Sequence, residues 1–308
     1  MTHPVTGRLQ IVGSGAIGSL VAAGAQANHI PFSLAPRHAR PATQRLLGYG
    51  GAATLLGSNL PVADKLTAQD ILVLPLKAHQ LADAAQAWKD KLHPETAVLL
   101  LHNGMGGLEA VRAVLPEHAL YLATTSHGAL RLNATEVKHT GFGRTMLGEA
   151  PDNKGTDPIQ KERLLEMLSR CLAPVTWHQD IMEALWLKLA VNAVINPLTA
   201  LHDIRNGELD NPQFQGHICD ICQEVSQVMA QAGYQHSPAV LKEQVKKVAR
   251  QTAQNYSSMH QDVANGRPTE VDAINGFIIK QAQKKGIDVS INTFLYNKIK
   301  ALETRYAG

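Results

Sequence analysis

The sequence predicts an α/β domain over residues 1–179 followed by an all-α domain over residues 180–308. In the first part, short apolar segments of strand length alternate with helical patterns, which is typical of a parallel sheet covered by helices. From Asp180 onward, only helical periodicity is present. A chain of 308 residues has room for two domains of ordinary size, so its length is compatible with this division.

The composition indicates an ordinary globular protein, with 44% hydrophobic and 18% charged residues. A formal charge of +3 without a basic tract argues against nucleic acid as a partner. The first residues, MTHPVTGR, lack the apolar core of a signal peptide, and no apolar run approaches the roughly 20 residues of a membrane helix. Three cysteines are too few for a disulfide framework. We therefore expect a cytoplasmic protein without a membrane or nucleic-acid partner.

A glycine-rich turn directly follows the first predicted strand. The strand Arg8–Val12 runs into the turn GSGAIG, and an alanine-rich helix, Ser19–Asn28, comes next. Strand, glycine turn and helix in this order are typical of a Rossmann-type dinucleotide-binding domain. The glycines let the backbone approach a pyrophosphate, which the helix N-terminus faces. We therefore expect a cofactor to bind at Gly13, Ser14, Gly15, Ala16, Ile17 and Gly18.

The end of the second predicted strand indicates which dinucleotide binds. The strand Ile30–Ala35 leads to Arg37, and the first acidic residue anywhere in the chain is Asp64. An NAD site would place Asp or Glu after this strand to bind the ribose 2′-hydroxyl. An arginine there suits a 2′-phosphate instead, so the sequence predicts NADP(H) as the cofactor.

Two further predicted strands end in polar loops. Asp70–Leu76 leads to Lys77, and Thr96–Leu101 leads to the segment HNGMGG, which contains Asn103. Because loops at the carboxyl ends of parallel strands bind ligands in α/β sheets, we expect Lys77 and Asn103 to line the cofactor site. For Asn103, a role as a simple turn residue is equally compatible with the sequence.

Farther along, Glu136–Thr140 and Thr145–Leu147 flank a Gly-Phe-Gly turn and predict an antiparallel hairpin that closes the sheet. A polar loop, a helix at Ile159–Leu172 and a short strand at Val175–His178 complete the first predicted domain. The boundary between the domains is therefore expected near residue 179.

The second domain opens with a long apolar helix that we expect to be closed by Pro197. Lys188, Asn192 and Asn196 are four residues apart within it and form one polar stripe. Each buried polar group without a partner would cost about 1–3 kcal/mol. The stripe could face solvent or a neighbouring helix, but its short side chains between Leu, Ala, Val and Ile favour a ligand-facing role.

More helices are predicted downstream. The second of them carries Asn255 and Ser258 three residues apart on one face, whereas Glu270 by its spacing alone resembles an ordinary carboxylate at a helix start. The predicted helices are Pro212–Ala232, Pro238–His260, Glu270–Lys285 and Thr293–Tyr306.

Cys219 and Cys222 form a CxxC pair, with His217 just before it. The pair lies within a helical pattern, in which a spacing of three residues simply marks one buried face. Without a second CxxC or clustered histidines, we predict no metal site.

Six segments in this order resemble the ketopantoate reductase (2-dehydropantoate 2-reductase) family: GSGAIG, LKAHQ, HNGMG, KLAVNAVINPLTAL, NYSSMHQDV and RPTEVDAINGF. The resemblance covers nearly the whole chain, and the lysine–asparagine stripe and the NxxSM…TExxxxNG run are its specific parts. It implies NADPH-dependent reduction of ketopantoate to pantoate in pantothenate biosynthesis. It also implies a small-molecule substrate and is compatible with a homodimer.

The resemblance also implies roles for individual residues. Lys188 would be the catalytic lysine, a general acid, and Asn255 would lie near the substrate hydroxyl. Asn103 would contact both cofactor and substrate. The other substrate contacts would be Asn192, Asn196, Asn206 and Ser258. The NADP side, or its junction with the substrate, would comprise Gly13–Gly18, Arg37, Lys77, Ala129 and Glu270.

Two other functions remain open at this stage. The chain could reduce another branched 2-oxo acid, because reductases of this architecture share the cofactor half. It could instead be a non-catalytic NADP sensor that binds a protein partner. A sensor would not need Lys188 in an apolar helix, so the intact stripe argues against it.

Overall fold

The computed structural model describes residues 6–35, 44–155 and 157–305. The chain forms two compact units, one of Met1–His102 with Gly107–Ala184 and the other of Asn103–Gly106 with Leu185–Gly308. The main division passes after Ala184, rather than at residue 179, because the start of the following helix packs on the first unit. A Cβ at Gly148 would lie 2.6 Å from the Cβ of Ile181.

Among its described residues, the first unit contains a seven-stranded sheet and four α-helices that lie wholly within it. In this sheet, strands β1, β2, β5, β6 and β7 pair in parallel. Their order, β7-β6-β5-β1-β2, is that of a Rossmann-type domain. The strands of the sheet are β1 (Leu9–Val12), β2 (Phe32–Ala35), β5 (Ile71–Leu74), β6 (Ala97–Leu101), β7 (Leu120–Thr125), β10 (Thr145–Glu149) and β11 (Val175–Trp177). The helices are α1 (Ala16–Ala27), α2 (Leu81–Trp88), α3 (Gly107–Val114) and α4 (Pro158–Cys171).

The central strands form because their segments are apolar on both faces, as a sheet covered by helices requires. All four residues of β1 and β5 and all five of β6 are buried. Gln10 is the polar exception in β1, and its Oε1 accepts a hydrogen bond from Ser33 Oγ at 2.7 Å. The α1 helix packs its small residues against this core.

A second sheet of four strands lies in the same unit, in the order β4-β3-β9-β8. Its strands are β3 (Gln44–Leu47), β4 (Ala53–Leu56), β8 (Gly128–Arg131) and β9 (Glu136–Gly141). The predicted hairpin is therefore wrong, because β9 pairs with β3 and β8 whereas β10 pairs with β7 and β11. The connection between β9 and β10 changes sheets at Gly143, where a Cβ would lie 2.2 Å from the backbone of Ser126.

The second unit is helical. Its helices are α5 (Ile181–His202, which starts in the first unit), α6 (Gln215–Gln231), α7 (Pro238–Gln251), α8 (Ser258–Ala264), α9 (Asn275–Lys285) and α10 (Ser290–Thr304). Capping serines begin two of them, since Ser237 Oγ accepts from Val240 N and Ser257 Oγ from His260 N. Together with the first unit, these helices confirm the predicted fold class, a Rossmann-type α/β domain followed by an all-α domain.

Three helix boundaries differ from the prediction by more than three residues. The α5 helix continues through Pro197 to His202. The single helix predicted over Pro238–His260 is two helices, with Asn255 in their connection, because the chain turns where Asn255 N donates to Thr252 O at 2.8 Å. Glu270 lies in a turn before α9 rather than in its first turn.

The α5 helix also bears on the expectation that no membrane helix is present. By length and composition it could cross a membrane, with a mean hydropathy of 1.4 in its most apolar window. However, 78% of that window is buried inside the structure, as in the core helix of a globular domain.

Candidate active site

The glycines of the GSGAIG turn have three separate structural roles. Gly13 has φ +93°, a conformation that favours glycine. A Cβ at Gly18 would lie 2.5 Å from Gly13 O and 3.1 Å from Pro75 Cγ, so this glycine lets α1 pack closely on the sheet. Apart from Gly15 itself and its two chain neighbours, no described residue has an atom within 4 Å of the position that a Cβ at Gly15 would take. Turn, close packing and open approach are the requirements of a dinucleotide-binding turn.

The N-terminus of α1 is suited to an anionic group. The helix begins after Gly15, and its first turn contains no acidic residue. The backbone around it is fixed by side chains, since Gln44 Nε2 donates to Ser14 O at 3.0 Å and Ser19 Oγ donates to Gly15 O at 2.8 Å. Because a helix N-terminus carries partial positive charge and unsatisfied N–H groups, these residues fit the pyrophosphate of a dinucleotide. Gln44 was not singled out from the sequence.

Of the remaining predicted cofactor residues of this unit, two lie within the described residues and one does not. Lys77 follows β5 and is half-buried, and its carbonyl accepts from Gln80 N at 2.8 Å. Ala129 is half-buried in β8, where it pairs with His139. Arg37, on which the expectation of NADP depends, lies outside the described residues.

In the second unit, Asn103 and Glu270 are joined directly. Asn103 Nδ2 donates to Glu270 Oε2 at 3.2 Å. The turn that follows Asn103 lies on the backbone after Glu270, since Met105 N donates to Ala273 O at 2.8 Å. This approach requires glycine at position 104, which has φ +73° and where a Cβ would lie 2.6 Å from the same carbonyl oxygen.

Lys188 interacts electrostatically with Glu270. Burial lowers the pKa of Lys188 to about 8, although its side chain keeps partial exposure, and the negative charge of Glu270 acts in the opposite direction. Glu270 itself is only 8% exposed. An ammonium whose pKa lies near neutrality can donate a proton and be reprotonated at physiological pH. Helical spacing did not reveal this pairing, because Glu270 and Lys188 are far apart in sequence.

The segment that carries Glu270 is held from α10. Thr269 donates to Glu303 Oε1 from its N at 2.7 Å and from its Oγ1 at 2.6 Å. Burial alone would raise the pKa of Glu303, but hydrogen bonds from Lys300 and Thr269 lower it overall. Asp272 accepts from Tyr296 Oη at 2.7 Å. Both flanks of Glu270 are therefore fixed.

The predicted asparagines of the second unit have different environments. Asn192 is half-buried, and Asn196 is 6% exposed. Asn206 begins a 3-10 turn, and its Nδ2 donates to Thr252 Oγ1 at 2.9 Å. Its Oδ1 is buried, with no hydrogen-bond partner among the residues that the structure describes. A buried acceptor in this state is suited to a donor on a ligand.

Ser258 and Asn255 are both exposed. They do not share one helical face as predicted, because α8 begins at Ser258 and Asn255 precedes it. The residue that caps α8 is Ser257, which is buried and accepts from Thr199 Oγ1 at 2.8 Å. Thr199 lies on α5, three residues beyond Asn196. The start of α8, with the Ser258 hydroxyl, is therefore tied to the helix that carries the polar stripe.

The CxxC pair lies on α6, as the helical pattern indicated. Cys219 is exposed and Cys222 is buried, and burial raises the pKa of the Cys222 thiol to about 12. Lys242 Nζ lies 2.9 Å from Cys219 Sγ. Within residues 6–35, 44–155 and 157–305, no group of three or more His, Cys, Asp or Glu could hold a metal ion.

A Rossmann-type domain with an open glycine turn, followed by a helical domain that groups a lysine, a carboxylate and asparagines, defines a nicotinamide-dependent reductase of a small molecule. The family model described as "Ketopantoate reductase PanE/ApbA" matches residues 9–152. The model described as "Ketopantoate reductase PanE/ApbA C terminal" matches residues 180–303. The chain belongs to the ketopantoate reductase family.

Individual relatives agree with this assignment. The chain is 38% identical over 297 residues to the 2-dehydropantoate 2-reductase of Vibrio cholerae, a match that covers 96% of this chain and 98% of that protein. A crystal structure of the probable 2-dehydropantoate 2-reductase of Bacillus subtilis is 30% identical, with a TM-score of 0.77 and coverage of 96% of this chain and 99% of that one. A D-mandelate dehydrogenase solved with NADH and anilino(oxo)acetate shares the fold at 23% identity, with a TM-score of 0.88 and coverage of 98% and 100%.

Proposed function

We propose that this chain reduces ketopantoate (2-dehydropantoate) to pantoate with NADPH, in pantothenate biosynthesis, and that Lys188 is the general acid. The observation that carries this proposal is the electrostatic interaction of Lys188 with the buried Glu270, to which Asn103 donates a hydrogen bond. The polar stripe on α5 and membership of the ketopantoate reductase family support it.

Lys188 would protonate the product oxygen. When bound, NADPH supplies a hydride to the keto carbon. The negative charge that develops on the keto oxygen is stabilised by the Lys188 ammonium, which then donates its proton to that oxygen. Glu270 favours the charged form of Lys188 and thereby helps to keep this acid protonated. Asn103 in turn orients the Glu270 carboxylate.

The amide and hydroxyl side chains would bind the substrate without titrating. In this proposal Asn192 and Asn196 orient the substrate, Asn255 lies near its hydroxyl, and Ser258 donates to its carboxylate. The buried Oδ1 of Asn206 accepts a hydrogen bond from the substrate. A site built to bind a hydroxyl rejects analogues that lack one, because its buried polar groups would lose their partner.

The substrate can be tested with the purified protein. NADPH oxidation is followed with ketopantoate and with a panel of branched and unbranched 2-oxo acids that lack the hydroxyl. We expect kcat/KM to be highest for ketopantoate. A higher value for another 2-oxo acid would contradict the substrate and favour the alternative reductase. Absence of turnover with every acid would contradict the enzymatic function itself.

The pH dependence of the reduction should follow Lys188. With a pKa of about 8, the lysine is protonated below that pH and progressively neutral above it. We therefore expect kcat/KM to fall on the alkaline side, about tenfold per pH unit well above the pKa. The measurement is a profile from pH 6 to 10 with saturating NADPH. A rate that stays constant up to pH 10 would mean that no acid of this pKa is needed.

The preference for NADPH rests on Arg37 and on the absence of any acidic residue before Asp64. A charge-assisted hydrogen bond to the 2′-phosphate contributes about 1.5–3 kcal/mol, and we take the lower end of that range. We therefore expect Arg37→Ala to raise the KM for NADPH about tenfold and to leave that for NADH unchanged. Arg45→Ala, in β3, is the matched control. Equal use of NADH by the unchanged protein would contradict the cofactor assignment.

Two further parts of the proposal concern the state of the protein in the cell. We propose a cytoplasmic location, which the extensive burial of α5 supports. We also propose a homodimer, and analytical ultracentrifugation at micromolar concentration would test it. A sedimenting mass equal to the 33.3 kDa of one chain would contradict the dimer.

A further inference from the structure

Asn275, the first residue of α9, is fully buried although its side chain is polar. Such a group is retained only where its hydrogen bonds contribute, because a buried amide without partners is unfavourable. Its Nδ2 donates to Ala193 O at 3.2 Å and to Asn292 Oδ1 at 3.0 Å. Its Oδ1 has no partner within the described ranges of the chain. The hydrogen bonds that Nδ2 donates are therefore the ones that stabilise this buried amide.

The bond to Ala193 has a specific cause in the sequence. Inside a helix, the carbonyl of residue 193 would accept from the N–H of residue 197. That residue is Pro197, which has no N–H. The side chain of Asn275 therefore supplies the donor that the proline lacks. Ala193 lies between Asn192 and Asn196 on α5, next to the polar stripe.

On its other side, Asn275 is anchored to a buried carboxylate. Asn292 Nδ2 donates to Glu224 Oε2 at 2.7 Å. The same carboxylate accepts from the N–H groups of Ile291 and Asn292 at the start of α10. Asn275 thus joins α5 to a network that includes α6 and α10 and cannot move independently of it.

Asn275 is also joined to Glu270 by a short, hydrogen-bonded turn. Ala273 N and Ile274 N both donate to Glu270 O at 3.0 Å. Gly276 N donates to Val271 O at 2.9 Å. Because few rotatable bonds separate the two residues, a shift of Asn275 would also displace Glu270.

We infer that Asn275 is a positioning residue, whose bond to the carbonyl left open by Pro197 fixes the Glu270 carboxylate relative to Lys188. This role presupposes the proposed function of Lys188 as the general acid. If Asn275 is lost, Glu270 is held less closely and supports the charge of Lys188 less well. The lysine then loses its proton at a lower pH.

The test is the pH profile of Asn275→Leu, a change of similar volume that removes the donors. We expect the alkaline limb of kcat/KM to move down by about one pH unit, so that activity falls about tenfold at pH 9 and far less at pH 6. The Tm should fall by about 3–8 °C. Ile221→Ala on α6, also fully buried, is a control that lowers the Tm without a shift of the limb.

Pro197→Ala separates positioning from stability. It restores an N–H for Ala193 O, so that in the double variant with Asn275→Leu the Tm should largely recover. The limb should stay shifted, because the link between α5 and Glu270 is still absent. Recovery of both, or an unshifted limb in Asn275→Leu, would overturn the inference.

Two further variants keep the inference testable. If Asn275→Leu does not fold, Asn275→Ser retains a shorter donor, and we expect it to show a smaller shift of the limb; an unshifted limb would again overturn the inference. In Lys188→Ala the limb should disappear. If the alkaline limb persists in Lys188→Ala, Lys188 is not the general acid and the proposed function of this lysine is wrong. The coupling between Asn275 and Pro197 is measured from Tm values and does not depend on that result.

Discussion

Lys188→Ala should lower turnover by about 10²–10⁴, the range for removal of a positioned general acid. The lysine is the cationic member of the site, and its pKa of about 8 suits proton donation near neutral pH. NADPH affinity, measured by fluorescence, should stay near that of the unchanged protein, because the proposed pyrophosphate site is formed by the GSGAIG turn. The decisive comparison is kcat against the Kd for NADPH on one preparation.

Lys188→Met is the companion variant, because it retains the length of the side chain and removes only the charge. Because removal of the cation leaves the buried Glu270 carboxylate without its opposite charge, we expect the Tm to fall, and kcat is therefore compared on protein that is shown to be folded. Lys246→Ala on α7 is a matched control for loss of a lysine elsewhere in the second unit. Retention of most of the turnover in Lys188→Ala would make this lysine a structural residue.

Ser258→Ala should lower kcat/KM for ketopantoate by about 10- to 150-fold, mainly through KM. The loss corresponds to one hydrogen bond to a charged group, about 1.5–3 kcal/mol. The structure strengthens this prediction because Ser258 is exposed and does not cap its helix. The Tm should therefore stay constant, and NADPH affinity should change little.

The neighbouring residue provides the control. Ser257 caps α8 and accepts from Thr199, so Ser257→Ala should lower the free energy of unfolding by about 1–2 kcal/mol. The two variants thus separate binding from stability at adjacent positions. A lowered Tm with an unchanged KM in Ser258→Ala would remove its hydroxyl from the site.

The sequence was most informative where the interactions are local. The GSGAIG turn was predictable because backbone conformation and close packing demand glycine at Gly13 and Gly18. The stripe on α5 was predictable because helical spacing alone puts Lys188, Asn192 and Asn196 on one face. Pro75, unusual within a parallel strand, lies directly after β5 and packs near Gly18.

Tertiary contacts accounted for most of the differences. The β9 strand reads like half of a hairpin, but it pairs with β3, about 90 residues earlier in the chain. Pro197 resembled a helix end because it has no N–H for the carbonyl of Ala193. In the structure Asn275, which is far away in sequence, donates to this carbonyl instead. Glu270 resembled an ordinary helix-start carboxylate for the same reason, because its partners Asn103 and Lys188 are remote in sequence.

The inclusion of Asn103–Gly106 in the second compact unit limits how the gene could be divided. A fragment cut at residue 180 would contain every helix from α5 to α10, yet it would lack Asn103 and Met105. Ala273 O would lose the N–H of Met105, and Glu270 would lose the amide of Asn103. Modular transfer of the helical half to another nucleotide-binding domain would therefore succeed only if the recipient supplied an equivalent Asn-Gly-Met-Gly loop.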